Sequence, residues 1–168
     1  MKETDKIYTE QLLQTVMMRH FRPRQNTIVP NVSWGAGLNH EADILIVTPA
    51  GICTEIEIKV SASDLKADAK KAHKHYSTDI HYFYFCVPDY LKTLALQVIP
   101  DEAGLFVCGS EWYHEGRFSI WVKAVRKPTR RQYGKWTPEM IAQLERLGRL
   151  RAYALLVENI KLKYPILF

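Results

Sequence analysis

The chain has 168 residues, 47% of them apolar and 24% charged, and a formal net charge of +5. That length suits one compact domain with a real core, and the charge favours a polyanionic partner, DNA or RNA. No apolar run is long enough for a membrane span, the opening MKETDKIY lacks a signal-peptide centre, and Cys53, Cys86 and Cys108 show neither CxxC nor zinc spacing. These features predict a cytoplasmic protein with reduced, buried thiols and no membrane partner.

In chain order, residues 9–21 predict an amphipathic helix with Leu12, Leu13, Val16, Met17 and Phe21 on its buried side. Arg22-Pro23-Arg24 ends it. Residues 27–33 predict a strand, followed by the glycine loop Trp34-Gly35-Ala36-Gly37. Residues 42–48 are nearly continuous β-formers, a strand covered on both faces. Pro49-Ala50-Gly51 is a turn, and residues 52–60 return as the second arm of a hairpin. Residues 61–76 predict a helix, with Ser61 and Asp64 spaced as a helix-start box. A strand at 80–87 follows, and Pro88 opens a short helix through Leu96. The turn at 99–104 leads to strands at 105–108 and 118–125. Arg126 to Trp136 is a basic loop. Thr137-Pro138 supplies the N-cap and first position of a final helix reaching about residue 159. This order, α-βββ-α-β-(α)-β-β-α, is a mixed α/β domain, with a core at about 7–110 and a C-terminal extension at about 111–168.

The strand Ile52-Cys53-Thr54-Glu55-Ile56-Glu57-Ile58-Lys59-Val60 carries the chemistry. Alternation puts Glu55, Glu57 and Lys59 on one side and Ile56, Ile58 and Val60 on the other. The hairpin lays Asp43 beside Glu57. Two carboxylates so close repel each other, and a hard divalent cation, Mg2+ or Mn2+, relieves the repulsion. Lys59 would position or help deprotonate an attacking water and stabilise charge on a phosphate. Asp64-x-Lys66 and Asp68-x-Lys70 have the same spacing but fall in a helix, where such residues diverge. On pattern alone, a solvated strand face with an ion pair explains Glu57 and Lys59 equally well.

The run Glu57-Ile58-Lys59-Val60-Ser61-Ala62-Ser63-Asp64-Leu65-Lys66-Ala67-Asp68 follows the Asp43-headed strand. It resembles the PD-(D/E)XK nuclease superfamily, and within it the bacterial and phage Mmc-type DNA-repair proteins. Their pattern is E-(I/V)-K-x-S-x-x-D-(F/L)-x-x-D, and the likeness continues through Tyr82–Pro88 and Pro100–Leu105. The resemblance implies a restriction-endonuclease-like αβββαβ core with a mixed sheet flanked by helices. It also implies Asp43 and Glu57 as metal ligands, helped by the backbone carbonyl of Ile58, with Lys59 as the catalytic lysine. Ala42 stands where the signature has proline. The implied activity is metal-dependent hydrolysis of DNA phosphodiesters in repair, recombination or phage DNA processing. The alternative is a nucleic-acid-binding repair protein that keeps the fold and cuts little.

Secondary candidates surround this centre. Glu10 is expected on the buried side of the first helix, where superfamily members often supply an acidic residue; its plainer role is to face the helix dipole. Glu55 lines the metal site or marks its edge. Ser61 and Asp64 are expected to cap the helix. Lys66, Lys70, Lys71, His73, Lys74 and His75 offer that helix a basic surface for phosphates. Arg126, Lys127, Arg130, Arg131 and Lys135, interleaved with Tyr133 and Trp136, suit a loop that clamps a nucleic-acid backbone and stacks on bases, or else a solvated connection. Arg19, Arg22 and Arg24 form a third basic group. The apolar tail from Tyr164 to Phe168 is expected to dock on the domain or on a second copy, which would make a homodimer.

Overall fold

A computed structural model describes residues 8–33, 38, 40–69, 79–113, 117–132 and 134–163. Thr9 caps helix α1 (Glu10–His20) by accepting the Leu12 N–H at 3.2 Å. Leu13 and Met17, one turn apart, are fully buried, and Val16 and Phe21 pack beside them. Strands β1 (Thr27–Val32), β2 (Ala42–Val47) and β3 (Cys53–Ile58) form an antiparallel meander. The chain crosses through α2 (Ala62–Ala69) to β4 (Tyr82–Pro88), parallel to β3. A 3-10 turn at Asp89–Leu91 and α3 (Lys92–Val98) then lead to β5 (Gly104–Tyr113), parallel to β4. Strand β6 (Arg117–Arg126) pairs antiparallel with β5, and α4 (Pro138–Lys163) follows. The six strands make one mixed sheet in sequence order, with helices against it as expected.

The register sorts the core. On one face, Ile44, Ile46, Ile56, Ile58, Cys86 and Cys108 meet Leu13 and Met17 of α1. On the other face, Leu45, Val47 and Cys53 meet Trp136 and Leu144, while Phe83, Phe85, Val87, Leu105 and Val107 meet Leu65 of α2 and Ala95 of α3. Glu55 and Glu57 share this second face with Leu45 and Phe85, so a polar strip runs between two apolar clusters. All three cysteines are free and buried. Cys86 and Cys108 come within 3.6 Å on neighbouring strands, a proximity their sequence spacing hides.

Three expectations change. Strand β5 runs five residues beyond Cys108: Gly109 continues it opposite Trp121, whose indole fills the space a side chain would need. Trp136 is a core residue rather than a base-stacking one: it is 3% exposed, and its indole N–H donates to the Asp79 carbonyl at 2.8 Å. Arg126 is a strut, donating to the carbonyls of Ala103 at 2.8 Å and Pro100 at 2.6 Å. The loop beyond it is pinned by Thr129 N–H to Glu102, Arg131 N–H to His81 and Trp136 N–H to Gly51. Trp34 to Gly37, Lys70, Lys71, His73, Lys74, His75, Tyr133 and the tail from Tyr164 lie outside the described residues. Among the described residues, no helix is long and apolar enough to cross a membrane.

The hairpin turn depends on Gly51. Its N–H reaches the Thr48 carbonyl at 2.9 Å, its φ is +77°, and a Cβ there would lie 2.6 Å from the Trp136 carbonyl oxygen. Gly51→Ala is therefore expected to cost about 1–3 kcal/mol of stability, read as a lower urea midpoint. An unchanged midpoint would show that the turn relaxes freely.

Candidate active site

The β2–β3 ladder pairs Leu45 with Glu55 and Ile44 with Ile56. Two residues back along β2 and two forward along β3, Asp43 and Glu57 therefore come opposite each other on one face. The backbone ladder gives way there, and Asp43 itself replaces it: Oδ2 accepts the Ile58 N–H at 2.7 Å. On the β1 side the strand is irregular too. Asn31 has φ 51° and lies between the Pro30–Ile44 and Val32–Ala42 pairs, a conformation asparagine tolerates better than most residues. Buried Gln14, on α1, donates from Nε2 to Asn31 Oδ1 at 2.5 Å and to the Asp43 carbonyl at 3.2 Å. Asp43 is thus fixed by two side-chain contacts around an opened ladder.

Glu57 is buried, and its Oε1 accepts from Lys59 Nζ at 2.6 Å. Its Oε2 is buried with no hydrogen-bond partner among the described residues. Lys59 is 3.7 Å from Asp64 Oδ2 and 3.9 Å from Asp68 Oδ1. Ser61 Oγ does cap the helix, accepting the Asp64 N–H at 3.2 Å, but the Asp64 carboxylate turns to the lysine rather than serving the cap alone. Glu55 is fully buried, with Oε1 2.8 Å from His40 Nε2. Glu10, expected to be buried, is exposed at the first turn of α1, and it lies near enough for its charge to act on Asp43.

The electrostatics follow from this crowding. Burial raises the Asp43 carboxyl to about 6, with the charges of Glu10 and Glu55 adding, against the Ile58 N–H and the Lys59 ammonium. Burial, and next the charge of Asp43, raise Glu57 to about 7 although Lys59 opposes it. Burial works against the Lys59 charge, but Glu57, Asp68 and Asp64 outweigh it and hold the ammonium pKa above its usual value. Two carboxyls pushed up together mark a place short of positive charge. The orphaned Glu57 oxygen, the facing Asp43 and all-oxygen donors fit Mg2+ or Mn2+ with retained waters. Among the described residues, no three His, Cys, Asp or Glu side chains gather as a ligand set. Asp43 and Glu57 would therefore need the Ile58 carbonyl and water to complete the shell.

The basic loop is elsewhere. Arg131 N–H bonds to the His81 carbonyl, and His81 N–H bonds to the Cys53 carbonyl, at the opposite end of β3. The Arg131 backbone is thus anchored at the Cys53 end of β3, four residues along the strand from Glu57. The Arg131 guanidinium sits 5.9 Å from the centre of the Phe83 ring. Lys66 is exposed on α2, two residues from each of the aspartates that face Lys59 and so on a diverging side of the helix.

The family model for DNA repair protein MmcB-like matches residues 4–137. The chain belongs to this MmcB-like family. The match takes in α1 to β6 and every residue of the Asp43–Asp68 constellation, and it ends just before α4. A DNA-repair role, with DNA as the partner class, comes with that membership. Among solved structures, this MmcB-like chain is similar to the SPO1766 protein of unknown function from Silicibacter pomeroyi. The two share 20% identity over 91% of this chain and 90% of that one, with a TM-score of 0.57, a likeness of fold alone. No curated protein matches.

In this MmcB-like site, Gln14, Asn31 and His40 were not picked out from sequence. Gln14 had a signal, a polar residue next to Leu13 on the buried stripe of an amphipathic helix. Asn31, directly after Pro30 in a run of β-formers, marked an irregular strand. His40 had none, because its partner Glu55 lies across a turn of chain that spacing cannot close.

Proposed function

We propose that this chain is a divalent-metal-dependent nuclease of the PD-(D/E)XK type that hydrolyses DNA phosphodiesters in repair. The observation that carries the reading is the facing pair Asp43 and Glu57, both with raised carboxyl pKa, with the Lys59 ammonium on Glu57. Mg2+ or Mn2+ held by the two carboxylates and the Ile58 carbonyl would supply Lewis-acid charge to the phosphate and lower the pKa of water. Asp43 is preset for that role by the Ile58 N–H and Gln14. Lys59, held as an ammonium, orients the attacking water, stabilises the hydroxide it becomes and offsets charge developing on the phosphate. Lys66 meets the DNA backbone beside the site.

One observation favours the second reading, a DNA-binding repair protein that cuts little. Lys59 already sits among Glu57, Asp64 and Asp68, which engage its charge within the chain itself. Incubating purified protein with labelled single-stranded, duplex and branched DNA in Mg2+, Mn2+ or chelator decides between them. Cation-dependent products support the nuclease. Binding without products under every cation supports the second reading.

Lys66→Gln is expected to weaken DNA binding uniformly across sequences and to reduce the salt slope by about one. Titrations at several salt concentrations measure this. A slope unchanged from the native protein would remove α2 from the binding surface.

A further inference from the structure

Strand β1 is an edge of the sheet, paired with β2 alone. An open edge invites a further strand, but Pro30 has no N–H to give and Asn31 breaks the run at φ 51°. Helix α4 crosses close beside it: a Cβ at Gly148 would lie 3.1 Å from Val29 Cγ2. Between these two elements and the end of α1 lies an open groove of about 580 Å3. Met18, Ile28 and Val29 give it an apolar lining, joined by Leu155 of α4, which is 59% exposed. Its α4 wall also carries Arg149 and Arg151. Among the described residues neither arginine has a carboxylate within ion-pair distance. The Arg151 Nε is enclosed with no acceptor. Glu145 lines the groove as well, but its Oε1 already accepts the Thr27 hydroxyl at 3.2 Å. At the α1 end, Pro23 lines the groove between exposed Arg22 and Arg24.

We propose that this groove docks an extended acidic segment of a partner protein, in which large apolar side chains alternate with carboxylates. An extended chain turns alternate side chains to opposite sides. Its apolar side chains then enter the groove while its carboxylates meet the arginines along the wall. Guanidinium–carboxylate pairs are strong and directional. Arg151, partly enclosed already, loses little further water when a counter-charge arrives. Two other occupants fit less well. A DNA backbone offers phosphates to the arginines but nothing to an apolar lining. A second copy of the chain, itself +5, brings the same arginines to the same groove across a two-fold contact. The α4 wall lies beyond residue 137, where the family match ends. The groove shares no residue with the Asp43–Asp68 constellation, so the proposal stands apart from the nuclease reading.

The test follows the fluorescence anisotropy of a labelled decapeptide of alternating aspartate and leucine, with a lysine–leucine counterpart as control. The full native chain should bind the acidic peptide saturably and ignore the basic one. Arg149→Gln and Arg151→Gln should each weaken that binding roughly tenfold. Ala152→Phe, which fills the groove from an exposed position, should remove it. Circular dichroism checks that the variants are folded. Native chain that does not bind the acidic peptide, or folded variants that all bind it as well as native, overturns the proposal. So does duplex DNA that displaces the peptide and itself binds more weakly to the same variants, which makes the groove a nucleic-acid surface. A native dimer on sedimentation that Ala152→Phe dissociates overturns it too, because a second copy then fills the groove.

Discussion

Glu57→Gln and Lys59→Met are each expected to remove about a thousandfold or more of cation-dependent DNA cleavage, by different routes. Glu57→Gln keeps the side-chain shape and an oxygen for Lys59, but it deletes one of two facing charges, so Mn2+ affinity should fall with the rate. Lys59→Met keeps the apolar stem and deletes the ammonium that sits 2.6 Å from Glu57. The carboxylate is then relieved of a competitor, and Mn2+ should bind as well or better while cleavage is lost. Because both residues serve one step, the double variant should be little slower than either single one. Calorimetric Mn2+ titration and initial rates, on variants shown to be folded, separate the two routes. Full cleavage by a folded Glu57→Gln or Lys59→Met protein would sink the assignment of the site.

The same carboxyls should dominate stability against pH when no cation is present. In the folded chain Asp43 titrates at about 6 and Glu57 at about 7, against about 4 for each in an unfolded one. As pH rises above about 4 the unfolded chain releases these protons first, so stability falls through 6 and 7 and levels off above. Each group taken singly corresponds to about 3 kcal/mol. The joint effect is smaller than the sum, since the two titrate as a pair. Lys59 acts in the other sense: its raised pKa contributes stability throughout this window and loses it only in strong alkali. Asp43→Asn should therefore flatten the profile and stabilise the protein at neutral pH in chelator. Mn2+ should restore native stability there by mass action. Urea midpoints from pH 4 to 8, with chelator and with Mn2+, give the measurement, and a flat native profile in chelator would contradict the raised carboxyls.

What could be read in the sequence was whatever a short stretch of chain decides for itself. Ile44 to Val47 and Ile56 to Ile58 declare strands, and the Pro49-Ala50-Gly51 turn closes them into a hairpin. The period of two then suffices to bring Asp43 to Glu57 and to align Lys59. What escaped depends on distant neighbours. The strand from Leu105 reads as ending at Cys108, because nothing local shows that Trp121 lies against Gly109. Trp136 reads as a basic-loop aromatic until the Asp79 carbonyl accepts its N–H. Arg126 reads as a phosphate contact until two carbonyls claim it. Asp68 entered as one letter of an extended motif and in a spacing set aside as helical, because its place beside Lys59 lies in how α2 is rotated over β3. Glu10 was expected to be buried, but a first-turn residue keeps its access to solvent even where its charge acts on Asp43.

The pocket and the chain carry opposite signs. The whole molecule is +5, so its far field attracts polyanions. Within the pocket, Asp43, Glu55, Glu57, Asp64 and Asp68 surround the Lys59 ammonium and the His40 ring. A phosphate drawn in from afar meets a reversed field over the last few ångströms, where intervening salt screens little. On the nuclease reading, cation and DNA would strengthen each other's binding by the same factor, so a tight complex and a loaded pocket would arise together.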